Sequence, residues 1–316
     1  MALSTNYFKD KKILLTGGNG FVGTQVTQKL LEIGVSKNQI NIPTSRENDL
    51  RIMENCLMLT KDSDIVIHLA GNVGGIGYNR EHPGVLFYDN LTMGINLIEA
   101  SRINKVIKFV CAGTICAYPK NTPVPFQEEE LWNGYPEETN APYGIAKKAL
   151  LVMLQAYKAE YNFNGIYLLP VNIYGIGDNF NPNSSHVIAA IIKKIHDAKK
   201  NNEKSITVWG DGSATREFLY VKDAAEAIVL ATEKYNKIEP INIGAGFEIS
   251  IKDLIKLIAK IMDFKGEIIW DKSKPNGQPR RSLDTTKAKR EFGFVAKTNF
   301  ESGLSQTIDW YVKQNK

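Results

Sequence analysis

The sequence predicts an α/β protein, a doubly wound parallel sheet with a smaller C-terminal lobe, and three observations carry the prediction. First, a short apolar run, Lys12-Ile-Leu-Leu-Thr16, ends in Gly17-Gly-Asn-Gly20-Phe-Val-Gly23 and continues with Val22, Val26, Leu30 and Ile33 at helical spacing, which reads as strand, tight turn and helix in succession. Second, strand-like runs alternate with helix-patterned segments as far as residue 172, the order that builds parallel sheets with helices on both faces. Third, the alternation loosens beyond that point. Residues 1–172 are therefore expected to form one unit, which also receives segments around 216–247, and 173–316 the smaller lobe.

Each element follows from its own residues. In the glycine turn, Gly17, Gly20 and Gly23 let the backbone approach a pyrophosphate, and the helix opening at Phe21 and Val22 offers N–H donors and a positive dipole end. This is a dinucleotide fingerprint in a Rossmann-type context. The next strand, Gln39–Pro43, runs into Thr44-Ser45-Arg46, where a site for NAD ordinarily carries an acid for the ribose 2′-OH. Arg46 stands there instead, either as an exposed loop arginine or as a partner for a 2′-phosphate, which favours NADP(H) over NAD(H). Asp64–Ala70 is a buried-type strand, and Ala70 at its carboxyl end is placed among the cofactor-binding residues, since ligands of such sheets lie at the strand ends. A long helix over 84–103 and a strand over Val106–Ala112 follow.

The chemistry centres on Tyr143-Gly-Ile-Ala-Lys147. A Tyr and a Lys four residues apart project from one helix face, and an ammonium within roughly 4–6 Å favours the phenolate. Tyr-x3-Lys also falls on exposed helices as a solvated pair, so the distinguishing context is the upstream fingerprint and a hydroxyl, Thr114, just after a strand. Gly165–Val171 is a further strand, and a helix runs from His186 to about Ala198. Ser205–Trp209 is a strand, Ser250 caps a helix whose apolar face is Ile251, Leu254, Ile255, Ile258 and Met262, and a last helix holds Leu304, Ile308 and Tyr311.

Composition excludes several classes. With 43% apolar residues in 316 the chain can bury a sizeable core. A net charge of +5 without long single-sign blocks gives no nucleic-acid surface. Cys56, Cys111 and Cys116 have no metal-ligand spacing and are an odd set for disulfides, which fits a reducing compartment. The N-terminus lacks a signal-peptide core and no apolar run reaches 18 residues. No metal and no membrane are expected, and the protein is expected to be soluble and cytoplasmic.

With Thr16–Gly23, Thr114 and Tyr143-x3-Lys147 in this order, the chain resembles the extended short-chain dehydrogenase/reductases that act on nucleotide sugars. The stretches Asn72–Ile76, Cys116–Lys120, Asn179–Ile188, Val208–Gly212, Arg216–Phe218 and Ser273–Arg280 narrow the likeness to the members that are both epimerase and reductase. The resemblance implies epimerisation at C3 and C5 of a GDP-4-keto-6-deoxy sugar, then NADPH-dependent reduction at C4. It makes Tyr143 the proton donor, Lys147 the ribose-binding and tuning residue, Thr114 the holder of the keto oxygen in place of the usual serine, and Cys116 and His186 the acid–base pair flanking the ring. It assigns Asn172, His186, Val187, Trp209, Arg216 and Arg280 to the substrate, and it implies a homodimer through the helix of Tyr143. The family's dehydratases carry Asp-Glu after the threonine; Ile115-Cys116 here disfavours dehydration.

Overall fold

The computed structural model describes residues 5–182, 184–274 and 277–315. Six parallel strands form the main sheet: β1 (Ile13–Thr16), β2 (Ile40–Asn41), β3 (Ile65–His68), β4 (Lys108–Ala112), β5 (Gly165–Pro170) and β6 (Ile241–Ile243). Their order is β6-β5-β4-β3-β1-β2. All residues of β1 and β3 are buried, as strands covered on both faces require. The chain leaves β1 for one edge and then turns back through β3 towards the other, so the glycine turn after β1 lies at the topological switch point. Two helix pairs flank the sheet, Phe21–Glu32 with Val221–Lys234 and Pro83–Ile103 with Ala141–Tyr161. Pro83 opens its helix where the missing N–H has no intrahelical partner to lose.

Helices Met53–Thr60, Ile76–Glu81 and Thr286–Phe292 and strand Glu267–Asp271 add to the elements read from sequence, and two further departures bear on the main sheet. The strand expected over 39–43 is only Ile40–Asn41, because it is an edge strand and Pro43 brings no ladder donor. Helix Val221–Lys234 was read only as part of a returning segment. Most of its residues from Val221 to Thr232 are buried, and its polar face is the narrow stripe of Lys222, Glu226 and Glu233.

A second core is centred on Ile188, Ile192, Ile195, Leu254, Ile255, Ile258, Leu304 and Ile308. It is built from helices Val187–Lys200, Ile251–Ile261 and Phe300–Gln314, with strand Ser205–Trp209 beside Glu267–Asp271. Ser250 caps the second of these helices as the sequence suggests, its Oγ accepting from the Asp253 N–H at 3.0 Å. The lobes meet where Asn172–Tyr174, just past β5, pairs with Phe218–Tyr220. Asn183, Pro275 and Asn276, which belong to two of the family-like stretches, lie outside the described residues, as do Met1–Ser4 and Lys316. Among the described residues no helix is long and apolar enough to cross a membrane.

Candidate active site

A cleft of about 1780 Å³ runs along the carboxyl ends of the strands and between the two lobes. That volume exceeds the usual single-ligand range of about 300–1,000 Å³, so it has room for two ligands side by side. One end is the glycine turn. Gly17 has φ +71°, and a Cβ there would lie 2.7 Å from the Ala70 nitrogen; a Cβ on Gly23 would lie 2.1 Å from the Gly17 oxygen. The turn therefore closes on itself only with glycine, leaving its rim and the start of helix Phe21–Glu32 open as a cradle. Gly17, Gly20, Phe21, Val22, Gly23, Arg46 and Ala70 all line this end. The acids of the neighbouring loop are engaged within the protein: Glu47 accepts from the Thr44 hydroxyl at 2.9 Å, and Asp49 pairs with Arg51 at 2.7 Å.

The centre of the cleft holds Thr114, Cys116, Tyr143 and Lys147. Thr114 caps the short turn Ile115–Ala117, its Oγ1 accepting from the Cys116 N–H at 3.1 Å, which leaves the hydroxyl proton for another acceptor. Helix Ala141–Tyr161 lies directly on this turn: a Cβ on Gly144 would sit 2.4 Å from the Cys116 oxygen. The close approach sets Tyr143 beside the turn that carries Thr114, and both line the cleft.

The electrostatics correct one expectation. Burial pushes the Tyr143 phenol above its ordinary value, with the nearby Cys116 adding to the rise and Thr114 opposing it. Lys147 does not offset this, and burial depresses its own ammonium. Desolvation disfavours the charged forms of both groups, so the phenol is kept as a proton donor.

The far wall comes from the second lobe. His186 immediately precedes helix Val187–Lys200 and lines the cleft as an exposed residue; the protein walls around it shift its pKa downward by partial desolvation. Asn172, Val187, Trp209 and Arg216 also line the cleft. The Asn172 amide donates to the Glu217 carbonyl at 3.0 Å, which spends one of its groups on the join between lobes. Arg216 is pushed down to about 10, by burial first and by the neighbouring Arg281 second.

Arg280 is the site residue that the structure puts elsewhere. Its guanidinium is exposed and pairs with Glu248 at 2.5 Å, and Arg281 takes the cleft position. The reason is strand-like alternation: the Thr215 and Glu217 N–H groups donate to the Pro279 and Arg281 carbonyls, so this segment runs extended beside 215–217 and successive side chains face opposite ways. Arg281 is buried, and its Nη1 donates to the Cys116 sulfur at 3.6 Å.

A model described as the NAD dependent epimerase/dehydratase family matches residues 13–244. The chain belongs to this family. Among curated relatives, "Putative GDP-L-fucose synthase 2" of Arabidopsis thaliana is 38% identical, covering 96% of this chain and 93% of that protein. GDP-L-fucose synthase of Escherichia coli K12 is 32% identical over 96% of this chain and 97% of that one. Among solved structures, a GDP-6-OMe-4-keto-L-xylo-heptose reductase from C. jejuni superposes with a TM-score of 0.90 at 27% identity, covering 96% and 98% of the two chains. A GDP-L-fucose synthetase from Naegleria fowleri bound to NADP gives 0.86 at 28% identity, covering 97% and 94%.

Cleft residues of this epimerase/dehydratase family member that sequence reasoning passed over include Gln278, Arg281 and Asp178. Asp178 is buried, and burial pushes its carboxyl up to about 7. The sequence signal for Arg281 was the alternation of Pro279, Arg280 and Arg281 against 215–217, visible only once the partner strand is known.

Proposed function

We propose that this chain catalyses NADPH-dependent 3,5-epimerisation and 4-reduction of a GDP-4-keto-6-deoxy sugar, the activity of a GDP-L-fucose synthase. One observation carries the reading: Cys116 and Tyr143 on the first lobe and His186 on the second line one cleft, which sets candidate acid–base groups on both sides of a ring lying between the lobes. The printed names of the relatives support the same substrate class.

The protein's part in the chemistry is proton movement and orientation. A proton on carbon next to a ketone is acidic enough for a side-chain base. The Cys116 sulfur takes the proton from C5 or C3, the electron pair moves onto the keto oxygen, and His186 returns a proton to the opposite face. Thr114 donates its hydroxyl proton in a hydrogen bond to the C4 oxygen, and Tyr143, kept protonated by burial, delivers the proton that completes the C4 hydroxyl. The reduced nicotinamide, when bound, supplies the hydride for C4. The glycine turn and the start of helix Phe21–Glu32 would hold its pyrophosphate and Lys147 its ribose. Arg46 would meet the 2′-phosphate, a preference supported by the engagement of Glu47 and Asp49 elsewhere. Trp209 and Arg216 serve the nucleotide of the substrate, with Arg216 pairing to a diphosphate oxygen.

Residues 1–172, with Val221–Lys234 and β6, are read as the dinucleotide-binding unit, and the remainder as the substrate lobe. Exposed Val85, Tyr88 and Ile95 on one helix and Val152 on the helix of Tyr143 support a homodimer through these two helices, which the mass in solution tests. The three unpaired cysteines support a reducing compartment such as the cytoplasm.

The decisive experiment is deuterium exchange. With GDP-4-keto-6-deoxymannose in deuterium oxide and no reductant, the wild-type protein washes label into C3 and C5, and Cys116→Ser does not. Reduction of the ketone by wild type without exchange at either carbon would leave a simple 4-reductase.

A further inference from the structure

Among the described residues, no carboxylate pairs with the buried guanidinium of Arg281. Among the described residues its guanidinium donates through Nε and Nη2 to the neutral Gln278 Oε1, at 3.1 and 2.9 Å, and through Nη1 to the Cys116 sulfur. Arg280, one residue earlier, has Glu248. Buried charges are ordinarily paired, and the one ionisable acceptor that Arg281 touches is the thiol of Cys116. The fork is also held firmly. The Gln278 amide donates to the Lys120 carbonyl at 2.6 Å, and the Arg281 carbonyl accepts from the Glu217 N–H at 3.1 Å, so both ends of the arginine are tied to neighbouring chain.

We propose that Arg281 is the positioning residue of the epimerisation base: its Nη1–H stabilises the anionic sulfur of Cys116 and fixes its direction before substrate arrives. This rests on the reading of Cys116 as that base. The other groups that act on the sulfur electrostatically are Arg216 from the neighbouring strand and Tyr143 from the helix above, a second cation and a phenol kept neutral by burial. Among the described residues Arg281 is the one whose hydrogen bond to the sulfur is seen, at 3.6 Å. A positive group in contact with a sulfur stabilises negative charge on it, so the Nη1 contact is what a test has to remove.

Alkylation of the full-length protein by iodoacetamide, followed by peptide mass spectrometry at one neutral pH without substrate, reads this directly. Cys116 is half-buried and lines the cleft, whereas Cys56 and Cys111 are fully buried and serve as internal controls for folding. Arg281→Met slows Cys116 alkylation about tenfold, and Arg281→Lys, which keeps the charge, restores most of it. Gln278→Glu is nearly isosteric and gives the guanidinium a rival anion, so it slows alkylation several-fold with Arg281 intact. It carries the test if Arg281→Met does not fold. Wild-type alkylation rates in Arg281→Met or Gln278→Glu overturn the proposal; with weakened GDP binding in Arg281→Met, they assign the arginine to a substrate phosphate instead. Failure of the base reading is separate: wild type would then show no deuterium exchange while alkylation still depended on Arg281.

Discussion

Glu217→Gln tests how the lobes are joined and how Arg281 is held. Glu217 is fully buried, and its Oε1 accepts from the Ala245 and Gly246 N–H groups at 2.6 and 2.9 Å, while Oε2 accepts from Ser282 Oγ and the Leu283 N–H at 2.9 and 2.7 Å. One carboxylate therefore ties the loop after β6 to the segment that follows Arg281. In the glutamine variant the amide oxygen keeps the two glycine-loop donors, because no group there can reverse its role. The amide nitrogen then faces Ser282, whose hydroxyl can turn to accept, and Leu283, whose N–H cannot. Loss of charge assistance on the remaining bonds, together with one orphaned buried N–H at about 1–3 kcal/mol, gives a destabilisation of about 4 kcal/mol. At about 2–4 °C per kcal/mol the melting midpoint falls by roughly 10 °C. Thermal unfolding followed by circular dichroism measures it, and a midpoint within about 1 °C of wild type refutes the assignment of Glu217 as the staple.

Three further predictions concern the cleft. Tyr143→Phe keeps NADPH binding and lowers turnover by a factor on the order of 10² to 10⁴, the range for a positioned general acid; an unchanged steady-state rate makes the phenol structural. Arg46→Ala weakens NADPH far more than NADH in fluorescence titrations, and an equal loss for both cofactors means Arg46 only shapes its loop. The Asp178 carboxyl, pushed from 3.8 up to about 7 by burial, stabilises the fold only while it is protonated, so that contribution is present below its ordinary value and lost as pH rises through about 7. The melting midpoint of Asp178→Asn relative to wild type accordingly climbs between pH 5 and pH 8, and a difference independent of pH removes the buried-carboxyl reading.

The parts of this site that were legible in the sequence are those whose geometry is local. Gly17, Gly20 and Gly23 lie within one turn, and Tyr143 and Lys147 within one helical turn, so spacing alone sets their relative positions. Thr114 follows from its place at the end of β4. The direction of the Tyr143 shift was not legible, because it is decided by burial in the folded protein, a tertiary quantity. Helix Val221–Lys234 is buried round most of its circumference, and only the narrow stripe of Lys222, Glu226 and Glu233 marks its open side. The exchange of Arg280 for Arg281 has the simplest cause. In extended chain a one-residue error in register moves a side chain to the other face, and the register of 277–283 is set by 215–217, some sixty residues away.

The same register explains why bulk charge says so little about this protein. A formal +5 spread over 316 residues neither points to nor excludes an anionic ligand, yet the cations are not equivalent. Arg51 is matched by Asp49 and Asp89, Arg102 by Glu99, Arg280 by Glu248, and Lys29 and Lys297 share Glu226. Among the described residues neither Arg281 nor Lys147 makes such a pair, and both are buried against the cleft. A cation that is buried and unmatched costs folding free energy unless an anion completes it, so its persistence there fits ligands that bring negative charge. Asp49 and Asp89 line the cleft but are engaged by Arg51, and Glu47 by the Thr44 hydroxyl; this unequal matching, rather than the number of lysines and arginines, fits the proposed binding of a dinucleotide phosphate at one end and a sugar diphosphate at the other. Among the described residues the ionisable group in contact with the Arg281 guanidinium is the sulfur of Cys116, and the extended register of 279–281 is what brings Arg281, and not Arg280, against it.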